Sequence, residues 1–203
     1  MKQVTLLAAL AAVIVIVVST LYASPAKNSK KPILTPVTAA VAGFTCPSCV
    51  SKLNSHLTSR KGVSDVKVTF KPGQVSAKLD ESIITSSEFI ATINAHGKAT
   101  EPQSPYTAAL VAYVDKAECK DEKVMCDDCV KEITKTLKAV KGIAAVKYNP
   151  TTRLAAIDFA PKTKLSTATL AKSLTDLKYS VSFTGEKPAA TKTEDSCPTC
   201  PGH

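Results

Sequence analysis

Cys46-Pro47-Ser48-Cys49-Val50 and Cys126-Asp127-Asp128-Cys129-Val130 lie 80 positions apart and begin two copies of one sequence pattern. The agreement between the copies continues downstream without a gap. The aligned positions are Leu53 with Ile133, Leu57 with Leu137, Gly62 with Gly142, Val66 with Val146, Val75 with Ala155, Ala77 with Ile157 and Leu79 with Phe159. Self-similarity at a fixed offset identifies an internal repeat. The chain of 203 residues is therefore a duplication of one small domain.

The period of the apolar residues changes in the same order in each copy. In the first copy, alternation over Val37–Val41 predicts a strand. Helical spacing from Val50 to Leu57 then predicts a helix, and Gly62 follows as its stop signal. Alternation returns on both sides of the Pro72-Gly73 turn, which predicts two further strands.

The second half of each copy completes the fold. Thr85-Ser86-Ser87-Glu88 is a capping box, and it predicts a second helix that ends at Gly97 before a weak final strand. The order of strand, helix, strand, strand, helix and strand is the split β-α-β arrangement of a ferredoxin-like fold. We therefore expect an α+β protein with two tandem ferredoxin-like βαββαβ domains, at residues 36–102 and 106–186.

The ends of the chain differ in composition from the two copies. Residues 1–26 contain an uncharged run from Val4 to Ala23, which is typical of either a secretory signal peptide or an uncleaved membrane anchor. Residues 27–35 form a linker, and residues 187–203 have the composition of a disordered tail. We expect an exported protein, located in the bacterial periplasm or anchored in the membrane and facing the periplasm.

The composition argues against a nucleic-acid partner. The net charge is +9, but the lysines are scattered among serines, threonines and aspartates and form no basic stripe. Five Phe, five Tyr and no Trp leave few rings for stacking on bases or for lining a large ligand pocket. The cores of the two domains should be aliphatic.

Six of the seven cysteines occur in C-x-x-C pairs, and two of these pairs lie between the first strand and the first helix of a copy. A helix N-terminus favours an ionised sulfur through its dipole and its free N–H groups. Two thiolates without other strong ligands suit Cu(I) or Hg(II), whereas Zn(II) generally requires four ligands. Cys46 with Cys49, and Cys126 with Cys129, are therefore predicted to bind a soft ion. Because the ion has only two ligands, an incoming thiolate can bind it before either original thiolate leaves. This property suggests a metal carrier.

Gly43-Phe44-Thr45-Cys46-Pro47-Ser48-Cys49, at the start of a βαββαβ unit, resembles the heavy-metal-associated domain family. The resemblance covers residues 36–102 well and residues 106–185 more loosely. It implies a metal carrier or sequestering protein that is not an enzyme. The partner it implies is a metal-transporting membrane protein or another thiol-bearing metal acceptor. Phe44 stands where the family usually has methionine, and it could supply the same apolar packing beneath the loop.

Lys98 is a candidate for charge compensation at the first site. Copper chaperones of the family similarly carry a lysine after the second helix, near the metal. Two thiolates with Cu(I) sum to one negative charge, which Lys98 could offset. The alternative is an exposed turn lysine without a role at the site.

The second copy departs further from the family's loop. Residues 115–124 lengthen the loop before the cysteine pair and include Cys119. Cys119 could complete a three-sulfur site, or an aspartate could add an oxygen ligand, and either would shift the preference toward Zn(II), Cd(II) or Pb(II). Alternatively, Cys119 is a spare thiol and the aspartates are charges at a helix N-terminus. The position of Lys98 corresponds here to Lys178 or Tyr179.

The tail ends in Cys197-x-x-Cys200-x-x-His203, which has the spacing of metal ligands. A flexible tail could collect an ion and deliver it to a domain, or the pair could be redox-labile and have no fixed partner. His56 and His96 are assigned no ligand role, because neither has a cysteine nearby in the sequence.

A thiol-disulfide oxidoreductase of the cell envelope is the alternative function. C-x-x-C at a helix start with a lowered pKa also serves thioredoxin-like chemistry. The ferredoxin-like strand order and the absence of tryptophan beside either pair argue against it.

Overall fold

The computed structural model describes residues 33–103, 105–116 and 124–188. The hydrophobic N-terminal segment, Cys119 and the tail with Cys197, Cys200 and His203 lie outside these residues. Within the described ranges, no helix has the length and apolar character needed to cross a membrane.

Seven strands and four helices make up the described residues, in the order expected from the repeat. They are β1 (Leu34–Ala42), α1 (Pro47–Thr58), β2 (Val63–Thr69), β3 (Gln74–Asp80), α2 (Ser86–Thr100), β4 (Thr107–Asp115), α3 (Asp127–Ala139), β5 (Ile143–Asn149), β6 (Leu154–Phe159), α4 (Thr167–Thr175) and β7 (Ser180–Ser182). All strand pairs are antiparallel. The predicted α+β, ferredoxin-like architecture is confirmed.

The strands of both copies join in one sheet with the order β2-β3-β1-β4-β6-β5, and β7 also pairs with β4. β4 takes part in both copies. Its residues Thr107–Val111 pair with β1, while Leu110–Tyr113 pair with β6 and Tyr113–Asp115 pair with β7. The first part of β4 therefore occupies the place of the fourth strand in the first copy. Its second part is the first strand of the second copy.

The predicted end of the second helix at Gly97 is wrong, and the first part of β4 provides the final strand of the first copy. α2 continues through Gly97 to Thr100, and the backbone leaves the helix at Glu101. Pro102 accounts for this end point, because a proline disfavours helical geometry in the residue before it. Gly97 serves packing instead, since a Cβ there would lie 2.6 Å from the carbonyl oxygen of Tyr106. The predicted domain limits of 36–102 and 106–186 divide the sequence, whereas the sheet continues across them.

The two copies share one hydrophobic core. β4 is central to it, because every residue from Leu110 to Asp115 is buried. Hydrogen bonds reinforce the join at the start of α2, where Ser86 Oγ donates to the Leu165 carbonyl at 2.8 Å and Leu165 N donates to Ser87 Oγ at 2.7 Å. The capping box predicted here also forms, with Glu88 accepting from the Thr85 backbone at 3.0 Å.

We predict that the two copies unfold as one unit. Leu110 is fully buried in the shared strand, so Leu110→Ala should lower the free energy of unfolding by about 2–5 kcal/mol. Native-state hydrogen exchange should show the same loss of protection in β3 and β6. Ile33→Ala, at a side chain that is 84% exposed, is the control and should change stability by less than about 0.5 kcal/mol. Loss of protection in only one copy would contradict a cooperative unit.

Candidate metal centre

The first cysteine loop connects the end of β1 to the start of α1. Gly43 turns the chain with a φ of +93°, a conformation that glycine adopts readily, and it lies against the backbone of Tyr106. Cys46 is the N-cap of α1, and Pro47 occupies the first turn, where a missing N–H costs no hydrogen bond. The loop therefore presents both thiols at the helix N-terminus, as the sequence predicts.

The two thiols of this loop are adjacent, free and unequal in exposure. The Sγ atoms of Cys46 and Cys49 are 2.8 Å apart, well beyond the length of a disulfide bond. Cys46 is partly exposed, whereas Cys49 is only 2% exposed and belongs to α1. The Ser48 hydroxyl lies 2.8 Å from Cys46 Sγ, and the Thr45 hydroxyl lies 3.7 Å from Cys49 Sγ. One sulfur is thus open to an incoming group, and the other is held by the helix.

Hydrogen bonding activates the more exposed thiol. The contact with Cys49 lowers the pKa of Cys46 to about 7, and the Ser48 hydroxyl contributes to the same shift. Because the thiolate is the form that binds metal, a lower pKa increases the competent fraction at neutral pH. A substantial fraction of Cys46 is therefore the thiolate at neutral pH, which is the form that a soft cation binds.

Glu101 is a member of this site that the sequence analysis missed. The Cys49 thiol donates to Glu101 Oε1 at 3.5 Å, and the ligand atoms of Cys46, Cys49 and Glu101 all lie within 4.8 Å of one another. The sequence analysis placed Glu101 at the end of the first domain, residues 36–102, and gave it no role. A usable signal was present, because Glu101 is the only acidic residue between Glu88 and Asp115 and it directly precedes a proline.

Lys98 lies in the last turn of α2 and is exposed. It borders an open groove of about 570 Å³ that also includes Phe159 and Lys164 of the second copy. Its role in offsetting charge at the thiols remains a prediction. The charged side chain in contact with Cys49 is the carboxylate of Glu101.

Tyr106 forms the floor of the first site. Its ring packs against Phe44 with centroids 5.0 Å apart, so Phe44 supplies the apolar packing expected of it. Tyr106 is 1% exposed, and its hydroxyl lies near the Thr100 side chain but makes no hydrogen bond of good geometry within the described part of the chain. Burial raises the pKa of Tyr106, and the negative charges of Cys49 and Glu101 add to the rise. The hydroxyl is therefore a neutral donor close to the ligand group.

The two histidines lie behind this floor. The rings of His56 and His96 stack with centroids 4.3 Å apart, and the His96 ring is 6.4 Å from that of Tyr106. Burial lowers the pKa of His96, and the charges of His56 and Lys52 reinforce the shift. The group of ligating side chains at the first loop contains neither histidine.

The second cysteine loop has a different environment. Cys126 is exposed at the N-cap of α3, and Cys129 is half-buried in the first turn of that helix. Asp127 and Asp128 are exposed in the first turn of α3, the location expected of helix N-terminal charges. Whether Cys119 joins this pair falls outside the described residues.

Tyr179, and not Lys178, lies beside Cys129. The Tyr179 hydroxyl donates to Glu132 Oε2 at 2.6 Å, and Lys116 Nζ lies 4.9 Å from the centre of its ring. Burial raises the pKa of Tyr179, and hydrogen bonds with Glu132 and Cys129 raise it further. Of the two residues that align with Lys98, Tyr179 is therefore the one that lies at the second cysteine pair.

The two cysteine loops lie at opposite ends of the sheet. β1 runs into the first loop, β4 runs into the second, and these strands are antiparallel neighbours. The nine residues of β4 span about 30 Å at the usual rise per residue. A single ion therefore cannot contact both cysteine loops.

Both copies match one known family. The model of the heavy-metal-associated domain matches residues 38–99 and 122–180. The chain is 26% identical to copper-transporting ATPase 2 of Rattus norvegicus over 63% of this chain, and 27% identical to copper-transporting ATPase 2 of Homo sapiens over 61%. The aligned region spans only 9% of the length of either relative.

Among the solved structures that this chain matches is the water-soluble region of the P-type ATPase CopA from Bacillus subtilis. It is 19% identical, with 77% of this chain and 95% of that chain covered, and the TM-score is 0.35.

We predict that Cys46 reacts with iodoacetamide with a midpoint near pH 7, because its pKa is lowered to about 7. The reactive thiolate is present above this pH and is lost as the pH falls through it. Peptide mapping by mass spectrometry would follow Cys46 separately from the other cysteines. Ser48→Ala removes one of the stabilising hydrogen bonds and should move the midpoint upward. A midpoint near 9 in the unmodified sequence would contradict the activated thiol.

Proposed function

This chain belongs to the heavy-metal-associated domain family, and on that basis we propose that it carries Cu(I) on Cys46 and Cys49. The observation that carries the proposal is the geometry of these thiols. They lie 2.8 Å apart at a helix N-terminus, and one is partly exposed while the other is buried. Hg(II) is the second candidate ion, since it too accepts two sulfurs in near-linear geometry.

Binding requires the two sulfurs to separate. Near-linear coordination places them roughly twice a metal–sulfur bond length apart, or about 4.5 Å if that bond is about 2.3 Å. Cys49 is fixed within α1, whereas Cys46 occupies the N-cap, where the backbone is extended. Rotation or displacement of Cys46 is therefore the movement that admits the ion.

Release follows from the same asymmetry. A thiolate of an acceptor binds the metal at its exposed side and forms a three-sulfur intermediate. The bond from the metal to Cys46 then breaks, and a second acceptor thiolate displaces Cys49. No electrons are transferred, and Cu(I) remains Cu(I) throughout. The chain acts here as a carrier and not as an enzyme.

The relatives support copper as the cargo, because the aligned proteins of rat and human are named copper-transporting ATPases. We propose a metal-transporting membrane protein, or another thiol-bearing acceptor, as the partner. The pair Cys126 and Cys129 is proposed as a second binding site. Zn(II) is an alternative ion there if Cys119 supplies a third sulfur.

A thiol-disulfide oxidoreductase is the alternative function. The 2.8 Å contact between the sulfurs and the pKa of about 7 at Cys46 favour it, because both assist disulfide formation. In that reaction the two thiols lose two protons and two electrons to a disulfide substrate. Retention of a bound ion by the reduced protein separates the carrier from this alternative.

We propose that the protein is exported, since residues 1–26 have the composition of a signal peptide or membrane anchor. Added protease should digest it in intact bacterial spheroplasts, whereas a cytoplasmic marker should survive. Protection equal to that of the marker would contradict export. Mass spectrometry of the mature N-terminus distinguishes a cleaved signal from a retained anchor.

We predict that Cys46→Ser with Cys49→Ser removes one equivalent of Cu(I) binding from the reduced protein. The fold should persist, because Cys46 is partly exposed and serine is close in size to cysteine at both positions. Titration against a competing Cu(I) chelator measures the stoichiometry, and circular dichroism checks the fold. The matched control is Cys126→Ser with Cys129→Ser, which should leave the first equivalent in place.

The comparison of these variants decides between the two functions. Unchanged Cu(I) binding after loss of Cys46 and Cys49 would overturn the carrier assignment of the first site. Rapid disulfide exchange by a reduced protein that retains no metal would support the oxidoreductase in its place.

A further inference from the structure

We propose that Glu101 is a third metal ligand at the first cysteine pair, which gives this site a second class of cargo, divalent ions such as Zn(II) and Co(II). This inference rests on the proposed role of Cys46 and Cys49 as metal ligands. A carboxylate oxygen is a harder ligand than a thiolate, and it shifts a sulfur site away from Cu(I) and toward borderline divalent ions. The sequence pattern placed Zn(II) at the second copy instead.

The distances suit tetrahedral coordination. Bonds of about 2.3 Å to sulfur and about 2.1 Å to oxygen, at a tetrahedral angle, place the sulfur and the oxygen about 3.6 Å apart. Cys49 Sγ and Glu101 Oε1 are 3.5 Å apart, so this pair needs almost no rearrangement. The two sulfurs must separate from 2.8 Å to about 3.8 Å for the same geometry, which is a smaller movement than linear coordination requires.

The backbone fixes the carboxylate in this place. Glu101 caps α2, and its N–H donates to the Gly97 carbonyl at 3.0 Å. Gly97 in turn packs directly on Tyr106, where a larger residue would collide. Because Glu101 is half-buried between this helix end and the cysteine loop, its carboxylate approaches the thiols from a defined direction.

Tyr106 provides an independent indication of a ligand. Its hydroxyl is buried beside the Thr100 side chain and makes no hydrogen bond of good geometry with the described residues, which is costly for a polar group. A bound metal would draw the thiolates and the carboxylate together as acceptors near this hydroxyl. Tyr106 would then donate to the ligand group, as groups around a metal site commonly do.

Charge also favours a divalent ion when Glu101 takes part. Two thiolates and one carboxylate carry three negative charges, which Zn(II) reduces to one and Cu(I) reduces only to two. When Cu(I) occupies the thiolates alone, the complex is negative and the adjacent carboxylate repels it. Glu101 should therefore raise the affinity for Zn(II) and leave the affinity for Cu(I) unchanged or lower.

The test uses the full chain with the other five cysteines replaced by serine. These replacements are Cys119→Ser, Cys126→Ser, Cys129→Ser, Cys197→Ser and Cys200→Ser. Zn(II), Co(II) and Cu(I) are titrated into this parent and into its Glu101→Gln and Glu101→Ala variants. Co(II) reports directly on the ligands, because its visible spectrum depends on coordination number and on bonded sulfur. Glu186→Gln, at an exposed glutamate, is the matched control.

Both Glu101 variants should bind Zn(II) and Co(II) about tenfold or more weakly, with an altered Co(II) spectrum, while Cu(I) affinity is retained or increased. The control should match the parent. Equal Zn(II) and Co(II) binding in the parent and in Glu101→Gln would overturn the ligand role, and so would an equal loss for all three ions. Failure of the parent to bind any ion would instead contradict the proposed carrier function itself.

Discussion

The pairing of β4 with β1 on one side of the duplication and with β6 on the other is the constraint on which this structure depends. A strand that completes two ferredoxin-like units must bury side chains for both, and Leu110–Asp115 are accordingly buried throughout. The arrangement also fixes the functional geometry. Because β1 and β4 are antiparallel, the cysteine loops that follow them face opposite ends of the sheet. A duplicated heavy-metal-associated domain has thereby become one sheet with two separated cysteine loops.

The first site combines one partly exposed thiol with buried or half-buried neighbours. Cys46 remains accessible to a partner, whereas Cys49, Glu101 and Tyr106 converge from α1, the end of α2 and the start of β4. The shared strand contributes to this convergence, since Tyr106 immediately precedes β4 and buries its ring in the first copy. The second cysteine pair is instead backed by Tyr179, which contacts Cys129 and donates its hydroxyl hydrogen bond to Glu132. The copies have therefore kept one fold while their ligand surroundings have diverged.

Much of the fold was predictable from local signals. The apolar periods, the turn at Pro72-Gly73 and the capping box at Thr85 each depend on a few neighbouring residues, and they placed most strands and helices correctly. The cysteine pairs were also predictable, because a motif between a strand and a helix fixes its own position. Gly97 was interpreted as a helix stop. Its actual role is packing against Tyr106, and that contact depends on the path of the chain between α2 and β4.

The remainder of the site depended on tertiary contacts. Glu101 was placed at the end of the first domain and Tyr106 at the start of the second, and no local pattern places either residue beside Cys49. Their approach follows from the chain reversal at Pro102 and from the use of β4 by both copies. Copies that share a strand leave little trace in the sequence, because the repeat continues to align at a constant offset.

The most direct test of the account is the amide NMR spectrum of the reduced, full-length chain before and after one equivalent of Cu(I). The largest shifts should fall on the amides of residues 43–46 and 48–50, with further shifts at 97–101, 103 and 106, where α2 ends beside the thiols. Amides of β5, at the opposite edge of the sheet, should remain in place. Unchanged signals at 43–50 with a full equivalent of Cu(I) bound would show that the ion binds elsewhere, and would contradict the first cysteine pair as the metal centre.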